Sequence, residues 1–113
     1  MKRVIIESPY ATDTPEGIER NLRYLRSAMR DCLLRGESPF ASHGLYTQPG
    51  VLDDKIPKER EHGIQAGFAW REVADLTVVY DDLGVSKGMQ YGIFHAEQFG
   101  RPIEIRQLGG EWS

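Results

Sequence analysis

Hydrophobic and polar positions along the chain form two kinds of block: short apolar runs, and longer segments with helical spacing. Three short runs are rich in β-branched residues, at residues 4–7, Leu76–Tyr80 and Ile103–Arg106, and together with residues 39–42 they predict four strands. Three longer segments carry apolar residues every three or four positions, the period of a helix with one buried face. Strand and helix therefore alternate through the whole chain.

The first helical segment has the clearest predicted boundaries. Thr14 is a suitable N-cap, Pro15 fits the first helical position, and Gly36 is well placed to end the helix. Its apolar stripe consists of Ile18, Leu22, Leu25, Met29, Cys32 and Leu33. A stripe of this width predicts a helix packed against the sheet.

The second and third helices are predicted on the same grounds. The second begins at Pro57, and three apolar residues form its buried side: Ile64, Phe68 and Val73. The third covers residues 86–99 and stops before Gly100-Arg101-Pro102. A long connection over residues 43–56, rich in Gly, Pro and Asp, precedes the second helix, and connections of this length are often functional.

Helical connections of this length join parallel strands. The alternation therefore predicts an α/β fold: a single small doubly wound domain, Rossmann-like or flavodoxin-like, with a four-stranded parallel sheet flanked by helices. A chain of 113 residues allows one such domain, over residues 1–113.

Composition narrows the classes of partner. Hydrophobic residues make up 40% of the chain and the net charge is −3, so a core is expected and a basic surface for duplex nucleic acid is not. The longest apolar runs fall far short of the ~18 residues that span a membrane, which favours a cytoplasmic protein. The three histidines have no metal-ligand spacing and Cys32 is the single cysteine, so we expect no metal, no cofactor and no internal disulfide.

The turn between the third strand and the third helix is the strongest candidate for function. Ser86 is a natural N-cap, Lys87 adds positive charge, and Gly88 allows a ligand to approach the backbone. Free N–H groups and the helix dipole favour an anion there. Asp81 and Asp82, just before the turn, either contact the ligand or only shape the turn.

Two other segments are predicted to converge on this turn, because ligands of open α/β sheets bind at the carboxyl ends of the strands. Ser8-Pro9-Tyr10 follows the first strand, and His43 and Tyr46 follow the second. Hydroxyls, an imidazole, aromatic faces and a helix N-terminus together suit a ribose, a base and a phosphate. The glycine patterns of ordinary dinucleotide-binding and P-loop proteins are absent.

The charged stretch 52–60 precedes the second helix and has two interpretations. It is either a lid over the site or a solvated start of the helix, and in the first case Arg60 would reach an anion.

Taken together, these segments resemble the nucleoside 2-deoxyribosyltransferase-like superfamily, especially small phage-encoded members of unassigned function. The resemblance covers most of the chain and rests on Glu7-Ser8-Pro9-Tyr10, on residues 42–48 and on residues 84–92 with Ala96 beyond. In the enzymes of that superfamily a glutamate in a Glu-x-Gly motif attacks the anomeric carbon of a deoxynucleoside. Aligning Gly92 with the motif's glycine places Gln90 at the catalytic position, and a neutral amide is a poor nucleophile.

The resemblance therefore implies binding more strongly than catalysis. The first hypothesis is a protein that binds a nucleotide or nucleoside derivative and, if phage-encoded, sequesters a signalling nucleotide in the host cytoplasm. The alternative is an N-glycosidic bond hydrolase or deoxyribosyltransferase that uses Asp82 or another carboxylate. A third interpretation is a non-catalytic phage adaptor module. The related enzymes assemble, so a homo-oligomer is expected.

Overall fold

The computed structural model describes residues 1–110 and 112. Four strands are present, β1 at Lys2–Glu7, β2 at Glu37–Phe40, β3 at Leu76–Tyr80 and β4 at Ile103–Arg106. Four helices accompany them, α1 at Pro15–Leu34, α2 at Ser42–Leu45, α3 at Pro57–Ala69 and α4 at Lys87–Phe99, and a short 3-10 helix spans Trp70–Glu72. Residues 111 and 113 of the predicted domain lie outside the described residues.

The four strands form one parallel sheet in the order β2-β1-β3-β4. The predicted α/β fold with a four-stranded parallel sheet is confirmed. The chain moves to one side of β1 to form β2 and to the other side to form β3 and β4. The carboxyl ends of β1 and β3 therefore flank the point at which the strand order reverses, where ligands of such sheets bind.

Alternate residues of β1 face opposite sides of the sheet. Val4 and Ile6 pack against α1 in the main hydrophobic core, whose other members include Tyr24, Leu25 and Cys32. Glu7, the last residue of β1, faces α4 instead. The second layer, between the sheet and α4, is therefore where a charged side chain enters the interior.

The caps and stops of the helices follow the predicted chemistry. Thr14 accepts a hydrogen bond from the backbone N–H of Gly17 at 3.0 Å, with Pro15 at the first helical position. Ser86 caps α4, and Gly100 ends it in the left-handed conformation at φ 80°.

Three predictions about individual segments were wrong. The second strand covers Glu37–Phe40 and not residues 39–42, because Gly36 turns the chain directly into register with β1, pairing Lys2 with Glu37. The buried side of α1 is centred on Tyr24 and Ala28, so Leu33 is 53% exposed. Val73 lies beyond the end of α3 and is also exposed.

None of the helices among the described residues has the length and apolar character needed to cross a membrane.

Candidate functional site

A cavity of about 200 Å³ lies at the carboxyl end of β1, beside the N-terminus of α4. It adjoins a wider cleft of about 600 Å³ beneath the connection that leads to α3. The two share lining residues on the β1 exit, the connection and α3, namely Tyr10, Ala11, Thr47, Leu52, Asp54, Glu59 and Arg60. Together they have the size of a small-molecule site, which is commonly ~300–1,000 Å³.

The three predicted segments converge on this cavity. Seven of the predicted residues line it: Ser8, Tyr10, His43, Tyr46, Ser86, Lys87 and Gly88. Four others are not part of the lining, namely Pro9, Asp81, Asp82 and Gln90. A ligand role for the seven stays a prediction, but their proximity is a feature of the fold.

The N-terminus of α4 forms a cationic corner of the cavity. Ser86 Oγ accepts a hydrogen bond from the N–H of Met89 at 3.2 Å, which leaves the N–H groups of Lys87 and Gly88 outside the helical ladder. Arg60 reaches this corner from α3, because its Nη2 lies 3.7 Å from the position that a Cβ on Gly88 would take. A 2.6 Å ion pair with Asp54 holds the other end of the Arg60 guanidinium.

His43 and Ser8 form a neutral polar pair on another wall of the cavity. Ser8 Oγ lies 2.6 Å from His43 Nε2, and the tautomer of the imidazole decides which of them donates the proton. Burial lowers the pKa of His43 to about 4, so the ring is uncharged near neutral pH. The pair therefore offers a ligand hydrogen bonds without charge.

Glu7 lies on the floor of the cavity, and from the sequence it was named only as part of the resemblance, without a role in the site. Its side chain is only 14% exposed, and it packs directly on α4 at Gly92. A Cβ at Gly92 would come within 2.2 Å of Glu7 Oε2, so a side chain there is incompatible with this position of the carboxyl group. Burial raises the pKa of Glu7 to about 7, although nearby Arg71 opposes the shift.

Arg71 supports the floor from behind and is 1% exposed. Its guanidinium donates to the Gly92 carbonyl at 3.1 Å, to His95 Nδ1 at 3.3 Å and to the hydroxyl of Thr77. Its Nη2 stands 3.7 Å from Glu7 Oε2. The sequence signal for this buried pair is a charged residue, Glu7, at the end of an apolar strand. Nothing in the sequence indicates that Arg71 is its partner.

Asp82 serves the fold on the other side of the sheet. Its carboxylate accepts hydrogen bonds from the Tyr24 hydroxyl at 2.5 Å and from the backbone N–H groups of Leu108 and Gly109 at 2.9–3.0 Å. Burial acts to raise the pKa of Asp82, but these hydrogen bonds outweigh it and hold the pKa below its usual value. Asp82 therefore fastens the segment after β4 to α1.

The three other residues outside the cavity differ in environment. Gln90 is exposed on α4, and Asp81 accepts a 3.3 Å hydrogen bond from the side chain of Gln107. Pro9, within the segment that follows β1, is buried. Neither of the two residues predicted to be catalytic, Asp82 and Gln90, is thus brought to the cavity.

Comparison with known proteins identifies a family and a similar fold. The family described as "Domain of unknown function (DUF7768)" matches residues 2–106. The chain belongs to this family. No curated protein matches it.

A solved structure of the 2-deoxyribosyltransferase from the psychrotolerant bacterium Bacillus psychrosaccharolyticus is similar to the DUF7768 domain. The TM-score is 0.63 with 15% identity, over 96% of this chain and 74% of that chain. At this identity the likeness shows a shared fold, and it confirms the fold that the predicted resemblance implied.

The role of Asp82 in the fold leads to a stability prediction. Asp82→Asn removes the negative charge of a carboxylate that accepts hydrogen bonds from three donors. We expect the free energy of unfolding to fall by about 1–3 kcal/mol. Urea denaturation followed by circular dichroism measures it. The control is Asp81→Asn, which should change stability by at most about 0.5 kcal/mol. Equal stability of Asp82→Asn and wild type would show that the carboxylate is not a structural anchor.

The contact between Gly92 and Glu7 predicts a strong coupling between the two positions. Gly92→Ala places a methyl group against the Glu7 carboxyl group, and overpacking of this kind costs about 1–3 kcal/mol. In a Glu7→Ala background the same change should be neutral or stabilising, since alanine is preferred to glycine in a helix by about 1 kcal/mol. Urea unfolding of the four proteins gives the coupling energy. A Gly92→Ala cost that is unchanged by Glu7→Ala would contradict the packing described above.

The raised pKa of Glu7 predicts how stability depends on pH. The folded protein holds this proton more tightly than the unfolded chain, whose carboxyl group has a pKa near 4.5, so Glu7 costs stability as the pH rises from about 4.5 to about 7. Glu7→Gln cannot ionise, so its stability relative to wild type should increase over this range, by at most about 3 kcal/mol.

The comparison must be made between variant and wild type at each pH. The pKa of His43 is lowered to about 4, so His43 gives the opposite slope: stability falls as the pH drops from about 6.5 to 4. Glu97→Gln, on the exposed side of α4, is the matched control and should give a constant difference. A constant difference for Glu7→Gln as well would mean that Glu7 titrates alike in the folded and unfolded chains.

Proposed function

We propose that this DUF7768 domain binds a nucleoside or nucleotide derivative in the cavity at the carboxyl end of the sheet. The observation that carries the proposal is the convergence of three chemically different walls on one cavity at the reversal of strand order. These walls are the cationic corner of α4, the neutral Ser8–His43 pair and a set of aromatic side chains.

The aromatic side chains offer faces suited to a base. Tyr91 and Phe68 line the cavity and stack on each other at 5.6 Å with an interplanar angle of 8°. Tyr46 lines another wall, and its hydroxyl accepts a 2.9 Å hydrogen bond from Trp70 Nε1, which holds the ring in place. Aromatic faces of this kind stack on bases.

The cationic corner supports a phosphate on the same ligand. Two cations, Arg60 and Lys87, line the cavity beside the free N–H groups at the start of α4. Backbone N–H groups and the helix dipole together favour an anion. A 5′-phosphate at this corner would leave the sugar near Ser8 and Glu7.

Binding without turnover is the form of this proposal that we favour. Gln90, which aligns with the nucleophilic glutamate of the enzymes, is a neutral and exposed amide. A binder of this kind would sequester its ligand; for a phage-encoded chain the ligand would be a signalling nucleotide of the host cytoplasm. Assembly into a homo-oligomer is part of the proposal, supported by exposed aromatic residues on α4 such as Phe94, 61% exposed, and Tyr91, 53% exposed.

One observation favours cleavage of an N-glycosidic bond as a second candidate function. Glu7 is a carboxyl group inside the cavity with a pKa of about 7, the range in which a group donates or accepts protons at neutral pH. Glu7 is therefore the candidate for the alternative in which another carboxylate acts, whereas Asp82 is not part of the cavity lining.

A ligand panel distinguishes these functions. We expect adenosine, uridine, their 5′-monophosphates or ADP-ribose to raise the melting temperature, with a gain of about 2.7 kcal/mol for a ligand at a hundred times its Kd. Free-base release is followed in the same samples by chromatography. A thermal shift without base release supports binding; base release that Glu7→Gln abolishes supports the second candidate. No shift with any member would overturn both and favour an adaptor role.

The same panel tests the cationic corner. The monophosphates should bind more tightly than their nucleosides, and Arg60→Ala or Lys87→Ala should remove most of that advantage while nucleoside affinity changes little. The matched control is Lys58→Ala, an exposed cation on α3 that is not part of the cavity lining. A phosphate advantage that survives the double replacement of Arg60 and Lys87 would place the anion elsewhere.

A further inference from the structure

We infer that Glu7 is the specificity-determining residue of this cavity: its carboxylate accepts a hydrogen bond from a donor group of the ligand, a sugar hydroxyl or an amino group. The inference rests on the proposed function, because it assumes that the cavity holds a ligand of the nucleoside type. It concerns a residue that the predicted ligand set did not include.

The first argument is that the carboxyl group of Glu7 keeps acceptor capacity for a ligand. Its one charged neighbour within 4 Å, among residues 1–110 and 112, is Arg71. That guanidinium stands 3.7 Å away, beyond a direct hydrogen bond, and it directs its N–H groups to Thr77, His95 and the Gly92 carbonyl. Arg71 therefore compensates part of the charge of Glu7 and leaves its oxygens available.

The second argument is that the position of Glu7 is built into the fold. The side chain leaves the last residue of β1 and lies on the backbone of α4, where Gly92 makes room for it. A strand end and a buried helix position define its place, so it does not depend on a loop. Groups held by rigid elements select ligands more sharply than groups on mobile segments.

The third argument is energetic. A buried carboxylate without a full set of donors is costly, and a ligand that covers it without offering a donor adds to that cost. A ligand that donates a hydrogen bond removes the cost and stabilises the ionised form. The cavity should therefore reject analogues that lack the donor, which is selection through an unsatisfied polar group.

The charged and titratable groups around Glu7 allow its titration to be isolated. Arg71 faces it from the 3-10 helix with His95 of α4 behind, His43 faces the cavity from α2, and four charged residues lie towards the mouth: Asp54, Glu59, Arg60 and Lys87. Burial lowers the pKa of His43 to about 4, and burial together with Arg71 lowers the pKa of His95. The His43 ring is therefore neutral where Glu7, with a pKa of about 7, changes charge, and the pKa of His95 is shifted away from that of Glu7.

The test is calorimetric titration at several pH values, each in two buffers of different ionisation enthalpy, which yields both affinity and proton release. The probe is whichever of adenosine, uridine and their 5′-monophosphates binds the wild type most tightly. For wild type, affinity should rise about 25-fold from pH 5.5 to pH 7.5, because that is the gain in ionised fraction for a pKa near 7. About half a proton should be released on binding at pH 7.

Glu7→Gln provides the baseline, including any titration of the ligand's own phosphate. It should bind at least tenfold more weakly than wild type at pH 7.5 and lose the part of the pH dependence that Glu7 causes. Glu97→Gln, on the exposed side of α4, should match wild type in both respects. If Glu7→Gln does not fold, Glu7→Asp replaces it: the carboxylate then sits one methylene further away, and affinity should fall while proton release remains.

Failure of the inference can be told apart from failure of the proposed function. Equal affinity and equal proton release in wild type and Glu7→Gln, or an affinity for Glu7→Asp equal to wild type, would overturn the role of Glu7 while binding itself stands. Absence of binding by the wild type to every probe would overturn both.

Discussion

The site depends on the interactions of the buried Arg71 guanidinium. It joins the 3-10 helix to β3 through Thr77 and to α4 through the Gly92 carbonyl and His95, and it stands behind Glu7. A buried charge is tolerated only where partners compensate for it, and removal of one partner leaves the other costly. The same buried charge therefore supports both the floor of the cavity and the packing of α4 on the sheet.

Polar side chains have different roles on the two faces of the sheet. On the α1 face, polar groups fasten the fold: Asp82 holds the chain after β4, and the Arg106 guanidinium pairs with Glu37 at 2.7–2.8 Å, which links β4 to β2 across the sheet. On the α4 face, Glu7 lines a cavity, and its carboxyl group keeps unused hydrogen-bonding capacity. This contrast explains why two neighbouring acidic positions of the same fold, the end of β1 and the turn after β3, differ in role: the Asp82 carboxylate has its donors from the chain, and that of Glu7 does not.

Local chemistry made part of this arrangement predictable from the sequence. Residues close together in the sequence determine the limits of β3 and β4 and the caps of α1 and α4 at Thr14 and Ser86. The convergence of the three segments follows from these elements once the strands are taken as parallel. The partners of Asp82 and Glu7 lie far along the chain, 26 and 64 positions away for Leu108 and Arg71. Apolar periodicity carries no information about such pairs, which is why one acid was expected in the site and the other was overlooked.

The position of Glu7 also changes what the glutamine at position 90 implies. From the sequence, Gln90 indicated a site that had lost its carboxylate. In the structure Gln90 is exposed, and a carboxyl group reaches the cavity from a different strand and a different direction, against the glycine two residues further along α4. Burial raises the pKa of this carboxyl group to about 7 against the opposing effect of Arg71, so the group lies near its ionisation threshold at neutral pH. Such a carboxyl group is suited to recognising a hydrogen-bond donor on a ligand. Gln90 alone would indicate only a site without a nucleophile, whereas Glu7 adds a condition on which ligands fit.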